Sequence, residues 1–190
     1  MAPTALVPIA DGSEEIETAC ITDVLVRGGV EVTVASVMPD KRLQIKAARG
    51  LNIVADKAID DCAHAEFDAI CCPGGMPGAE HLRDSATLTA LLKAQAAKGK
   101  VVAAVCAAPA VVLSAHELLP ATGEVTCFPV DKFKKLVGEE RWSETRAVVN
   151  GNVIMSQGPG TSLEFALKVV ESLCGADKAA EVEKGLLLKK

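Results

Sequence analysis

Short apolar, β-branched runs alternate along the chain with stretches whose apolar positions recur every three or four residues. Residues 5–10 read as a strand, 13–28 as a helix and 30–36 as a second strand. The pattern resumes with a strand over 67–72 and a helix over 86–98. A strand over 101–106 then runs into an apolar helix from Pro109. A hairpin-like pair around Asn150-Gly151 fills 148–157, and a helix follows over 161–173. The runs DAICC and VVAAVC are apolar almost continuously, as strands of a parallel sheet covered on both faces are. Strand–helix alternation predicts an α/β sandwich with a mostly parallel central sheet, in one domain over residues 1–190. Segments 39–56 and 128–146 are the least regular, and either is expected to carry a small accessory hairpin.

In such sheets ligands gather at the carboxyl ends of strands, near the point where strand order reverses. Four loops therefore hold the candidate chemistry: DGSEE, PGGMPG, CAAPA and GPGTS.

Composition narrows the partners. The chain is 49% hydrophobic and 24% charged, an ordinary globular balance. Its net charge is −5, so a general polyanion-binding surface is not expected and nucleic acid is not indicated. The aromatics are one Trp and four Phe, which leaves an aliphatic core and no base-stacking platform. The longest apolar run, 101–113, is interrupted by Pro109 and falls short of the ~20 residues of a membrane span. The N-terminus lacks the basic region and cleavage site of a secretion signal, so a cytoplasmic protein is expected. Seven cysteines occur without a C-x-x-C pair, and the three histidines stand apart, so no metal site is expected. There is no P-loop, and GPGTS is not a dinucleotide fingerprint, so no cofactor is expected.

Most of the cysteines read as small buried hydrophobes. Cys106 differs because it ends an apolar strand just before a helix start. Helix N–H groups and the positive dipole end favour a thiolate there, and flanking alanines leave room for a sharp elbow. The competing reading makes it the last core residue of its strand. Glu17 heads the stripe Glu17, Cys20, Ile21, Val24, Leu25, Gly28, which should face the sheet if Ser13 caps the helix. A carboxyl on such a stripe has its pKa raised by burial, and a protonated Glu17 can donate to a thiolate. Its competing reading is a carboxylate reaching water from the first turn. Backbone N–H groups in Pro73–Gly75, with that of Ala107, suit an oxyanion hole, although PGG taken alone reads rather as a plain tight turn. Thr161-x-x-Glu164 reads as a capping box for the last long helix.

Six segments extend this picture: GSEEIET (12–18), LVRGGVEVTVAS (25–36), ARG (48–50), PGGMPGAE (73–80), AAVCAAPA (103–110) and SQGPGTSLEFALKVVE (156–171). Together they closely resemble the ThiJ/PfpI superfamily, in the branch of the Parkinson disease-associated deglycase and its bacterial ThiJ/YajL relatives. The resemblance implies a flavodoxin-like three-layer sandwich that forms a homodimer. It implies Cys106 as the reactive thiol, Glu17 as its partner carboxyl, and backbone N–H groups from Gly75 and Ala107. It also implies Arg49, reaching the site across the dimer interface, and Gly74 as further contacts. The expected activity is cofactor-free glyoxalase or deglycase chemistry on small reactive aldehydes and early glycation adducts. The alternative is a non-enzymatic oxidative-stress sensor or redox-regulated chaperone that uses the same cysteine. Two positions depart from relatives. Ala107 stands where peptidase members carry His, which removes the adjacent base of a Cys–His pair. Phe128 stands where one branch carries His, so acid–base work is left to Glu17 or water.

Overall fold

The computed structural model describes residues 1–188. The chain opens with β1 (Thr4–Ile9), α1 (Glu15–Arg27) and β2 (Glu31–Ser36), followed by a short antiparallel hairpin of β3 (Gln44–Lys46) and β4 (Asn52–Val54). Next come β5 (Lys57–Ala58), β6 (Ala69–Cys72), α2 (Gly78–Asp84), α3 (Ala86–Ala97) and β7 (Val101–Val105). The remainder is α4 (Asp131–Val137), the hairpin of β8 (Ala147–Asn150) and β9 (Val153–Ser156), α5 (Ser162–Cys174) and α6 (Ala176–Gly185).

Seven strands form one sheet in the order β5-β2-β1-β6-β7-β9-β8, parallel except for β8. The inner strands β1, β6 and β7 are covered on both faces, with every residue of β6 and β7 buried. Helix α1 packs with α5 on one side, while α2 and α3 pack on the other. The result is the α/β sandwich that the alternation predicts, in the flavodoxin-like form that the resemblance implies. Strand order reverses between β1 and β6, because β1 continues to β2 on one flank and β6 leads away on the other. The carboxyl ends of β1, β6 and β7 therefore converge at the crevice where such sheets bind ligands.

Local differences from expectation have physical causes. Segment 39–56 does carry a hairpin, whereas 128–146 folds around the helix α4. The third strand starts at Ala69 rather than residue 67. After Pro109 the chain makes a wide π-type turn, not a regular α-helix.

The helix starts differ as well. Glu14, not Ser13, caps α1: its carboxylate accepts the Glu17 N–H at 2.8 Å. The Ser13 hydroxyl oxygen instead accepts the Ala10 N–H at 2.9 Å. The Thr161–Glu164 capping box does not form. Thr161 donates its hydroxyl to the Gly158 carbonyl, and Glu164 takes the Arg146 guanidinium at 2.9 Å.

Candidate active site

Three strand ends build the site. Cys106 lies one residue past β7, and its backbone is left-handed at φ 63°. That region is costly for a residue with a side chain, so the surrounding structure must hold it there. Two hydrogen bonds do so: the Cys106 N–H donates to the Ser156 carbonyl at 3.0 Å, and its carbonyl accepts the Phe128 N–H at 2.7 Å. The turn lifts the sulfur out of the sheet while leaving the residue only 9% exposed. The backbone N–H groups of Gly75 and Ala107 interact with the sulfur and favour its charged form.

Glu17 arrives from the first turn of α1 and is fully buried. Its Oε2 accepts the Gly74 N–H at 2.6 Å. Its Oε1 is buried without a well-aligned partner, and the Cys106 thiol is the side chain that interacts with this carboxyl. Burial raises the carboxyl to about pH 7, helped by the nearby charge of Glu14 and opposed by the Gly74 N–H. At neutral pH the acid thus keeps a large share of its proton, and Oε1 is the oxygen with an unused position for it.

The thiol responds to the same proton. Burial pushes Cys106 up, and an ionised Glu17 beside it pushes it further. The thiolate expected from sequence is therefore conditional. With the proton on Glu17 the repulsion disappears, and its O–H becomes a third donor to the sulfur beside Gly75 and Ala107.

Close packing at the PGG turn fixes this geometry. A Cβ on Gly74 would stand 2.6 Å from the Cys106 Cβ and 2.9 Å from the Ala107 nitrogen. Gly75 is left-handed at φ 84°, and a Cβ there would meet the Gly12 carbonyl oxygen at 2.3 Å. The Gly74 carbonyl also accepts the Glu14 N–H at 3.1 Å, which ties the turn to the start of α1.

The structure thus brings Cys106, Glu17, Gly74, Gly75 and Ala107 together. Arg49 lies apart from them within one chain: its N–H donates to Glu15 at 2.8 Å, and its exposed guanidinium bonds the Ala48 carbonyl at 3.3 Å. Sequence reasoning passed over Glu14 and Ser156. Glu14 carries no cap signal, because Ser, Thr, Asp and Asn rather than Glu are the favoured cap residues. Ser156 acts through its carbonyl, which leaves no side-chain signal. Among the described residues no cluster of three His, Cys, Asp or Glu is placed to hold a metal ion. No helix among them is long and apolar enough to cross a membrane.

Comparison with known proteins follows the same residues. Residues 3–172 match the DJ-1/PfpI family. Protein DJ-1 homolog B of Arabidopsis thaliana is 42% identical over 98% of this chain, and the chain spans 41% of that relative's length. A Caenorhabditis elegans protein named glutathione-independent glyoxalase DJR-1.2 is 40% identical, over 97% of this chain and 95% of its own. The solved structure of oxidised Toxoplasma gondii DJ-1 superposes with a TM-score of 0.92 at 43% identity, covering 98% of each chain.

Proposed function

The chain belongs to the DJ-1/PfpI family, and from that premise we propose that it is a cofactor-independent glyoxalase or deglycase acting on reactive carbonyls through Cys106. The observation that carries this reading is a buried carboxyl, raised to about 7, in contact with a thiol at a strained strand-end turn. The Cys106 thiolate adds to the aldehyde carbon of methylglyoxal, and Glu17 gives its proton to the new alkoxide, forming a hemithioacetal. The Glu17 carboxylate then takes the proton from the former aldehyde carbon, and reprotonation at the neighbouring carbon yields a thioester. Water attacks the thioester carbonyl, whose oxyanion is held by the Gly75 and Ala107 N–H groups. Collapse returns the thiolate and releases lactate, so the net reaction is methylglyoxal plus water to lactate. Glyoxal gives glycolate in the same way, and early glycation adducts enter at the same carbon. No base beyond Glu17 is required, which suits the Phe128 and Ala107 positions.

We also place the protein in the cytoplasm, where its free cysteines stay reduced. A homodimer would bring Arg49 of the partner subunit to the site. The exposed apolar side chains of Ile16, Leu51 and Val54 support such an interface, and sedimentation of the purified chain tests it.

The decisive experiment follows lactate from methylglyoxal in a buffer without amines. Cys106→Ala is expected to abolish turnover, and Glu17→Gln to lower it ~100-fold or more. Stoichiometric loss of aldehyde without lactate would overturn the enzyme reading.

A second reading is an oxidation sensor or redox-regulated chaperone. It is favoured by the oxidised state of the Toxoplasma structure and by donors that suit a charged sulfinate. Mild peroxide is then expected to add oxygen to Cys106 before the other six cysteines. Uniform oxidation of all seven would count against it.

A further inference from the structure

The two sides of the Cys106 elbow differ in chemistry. On the β6 side stand the Gly75 N–H and the carboxyl of Glu17, which the Gly74 N–H holds. On the β9 side of the elbow lies the Phe128 ring, against the loop at Gly158. Phe128 is tied to the elbow by its N–H bond to the Cys106 carbonyl. Its ring carbons lie 3.4 and 3.8 Å from where a Cβ on residue 158 would be, so the absent side chain of Gly158 leaves the ring its seat. Gly158 is two residues beyond Ser156, whose carbonyl holds the Cys106 N–H. The ring thus rests on the loop leaving β9, next to the elbow, yet remains 38% exposed. Met76, one residue past Gly75, is itself 41% exposed.

This asymmetry orients a bound carbonyl compound. The oxygen that gains charge on thiolate attack belongs on the polar side, where the N–H donors and the Glu17 proton are. The substituent on the carbonyl carbon then falls toward the ring. A half-exposed Phe gains by covering its remaining surface with a planar apolar group. We propose that Phe128 is a specificity-determining residue and that the site prefers 2-oxoaldehydes bearing an aryl or branched alkyl group over glyoxal and methylglyoxal. The proposal rests on the thiol–carbonyl reading above, and its test is chosen to fail separately from it.

The test compares alkylation of Cys106 by phenacyl chloride and by chloroacetone, which share the reacting carbon and differ in the substituent. Rates come from intact mass and peptide mapping, each normalised to the rate with glutathione. The aryl-to-methyl ratio is expected to fall about tenfold in Phe128→Ala, with Phe128→Leu between the two. Phe128→His keeps a ring but makes it polar, and its expected loss of the ratio carries the comparison should the alanine variant fold poorly. An equal ratio in the wild type and the variants would overturn the proposal. Turnover of phenylglyoxal to mandelate is measured beside methylglyoxal to lactate. A ratio that falls on alkylation with no turnover of either aldehyde sinks the enzyme reading and leaves this inference standing. Turnover of both with an unmoved ratio does the reverse.

Discussion

Cys72 and Cys106 lie on adjacent strands only two register positions apart, since Cys72 pairs with Ala104. Burial raises both thiols, but only Cys106 has donors and a protonatable acid beside it. Cys72 is the last residue of β6, fully buried, and burial alone drives its thiol up to about 12. Cys71 beside it is pushed up by burial and by its neighbour. Cys106 has left the sheet by one residue, turned left-handed, and met two backbone donors and a protonatable acid. Burial is common to both and so does not make a cysteine reactive. The difference comes from where the strand stops and what the adjacent loops aim at the sulfur.

The largest expected effect tests that contrast directly. With a limiting amount of a small alkylating agent at neutral pH, the first adduct should map to Cys106. It should precede the half-exposed Cys20 and Cys174, which lack those donors, and Cys71 and Cys72 should react only on unfolding. In Cys106→Ala the fast event disappears, leaving labelling ~100-fold slower or more. Peptide mapping that finds Cys20 first would break the comparison.

A second test uses the proton that Cys72 lacks a partner to share. A carboxyl moved from an ordinary 4.5 to about 7 in the folded chain corresponds to about 3 kcal/mol of linkage. The sign follows from the raised value. The folded state holds the proton more tightly, so this stability is fully present below pH 4.5 and is lost as pH rises through 7. Glu17→Gln is neutral at every pH and keeps an oxygen for the Gly74 N–H. Urea unfolding should therefore show the variant gaining on the wild type by about 3 kcal/mol between pH 4.5 and 8. A difference that stays flat with pH would mean the acid is not raised. The same variant should still alkylate at Cys106 while losing turnover, which separates sulfur reactivity from proton transfer.

The third effect is steric. Gly74→Ala places a methyl group 2.6 Å from the Cys106 Cβ, against backbone on the other side. The turn or the elbow must shift, at a cost of about 1–3 kcal/mol in stability. Cys106 alkylation should slow, while Cys72 stays buried and unlabelled. Unchanged reactivity would show that the PGG turn does not hold the sulfur in place.

Much of this was legible in the chain because the relevant signals are local. The apolar runs of β6 and β7 announce buried parallel strands, and Glu17 stands out as a carboxyl on an otherwise apolar stripe. The β3 and β4 strands, three residues each, register only as irregularity, too short for any periodicity. At the start of α1 Ser13 is the residue type that favours a cap, yet Glu14 takes the position. The choice is made by tertiary contacts, with Ala10 taking one and the Gly74 carbonyl fixing the other. The expected capping box was lost in the same way: Thr161 donates to the Gly158 carbonyl, and Glu164 takes Arg146 from 18 residues upstream. Phe128 gave no periodic signal, since its place beside the elbow comes from one backbone hydrogen bond across the fold.

The smallest expected effect concerns Glu14, which acts on Cys106 only through Glu17. Its carboxylate caps α1 by accepting the Glu17 N–H, and its charge helps to raise the Glu17 carboxyl. Glu14→Gln keeps a cap oxygen and removes the charge, so the helix start should survive with stability changed by about 1 kcal/mol or less. Glu17 should then lose its proton at a lower pH than in the wild type. The pH at which Cys106 alkylation inflects should move down with it, because the acid that supplies the third donor ionises earlier. Cys72 owes its raised thiol to burial, and its slow labelling on unfolding should show no such movement. If the inflection of Cys106 stays put while Glu17→Gln removes it, the sulfur is governed by Glu17 alone. The charge at the helix cap would then have no part in tuning the site.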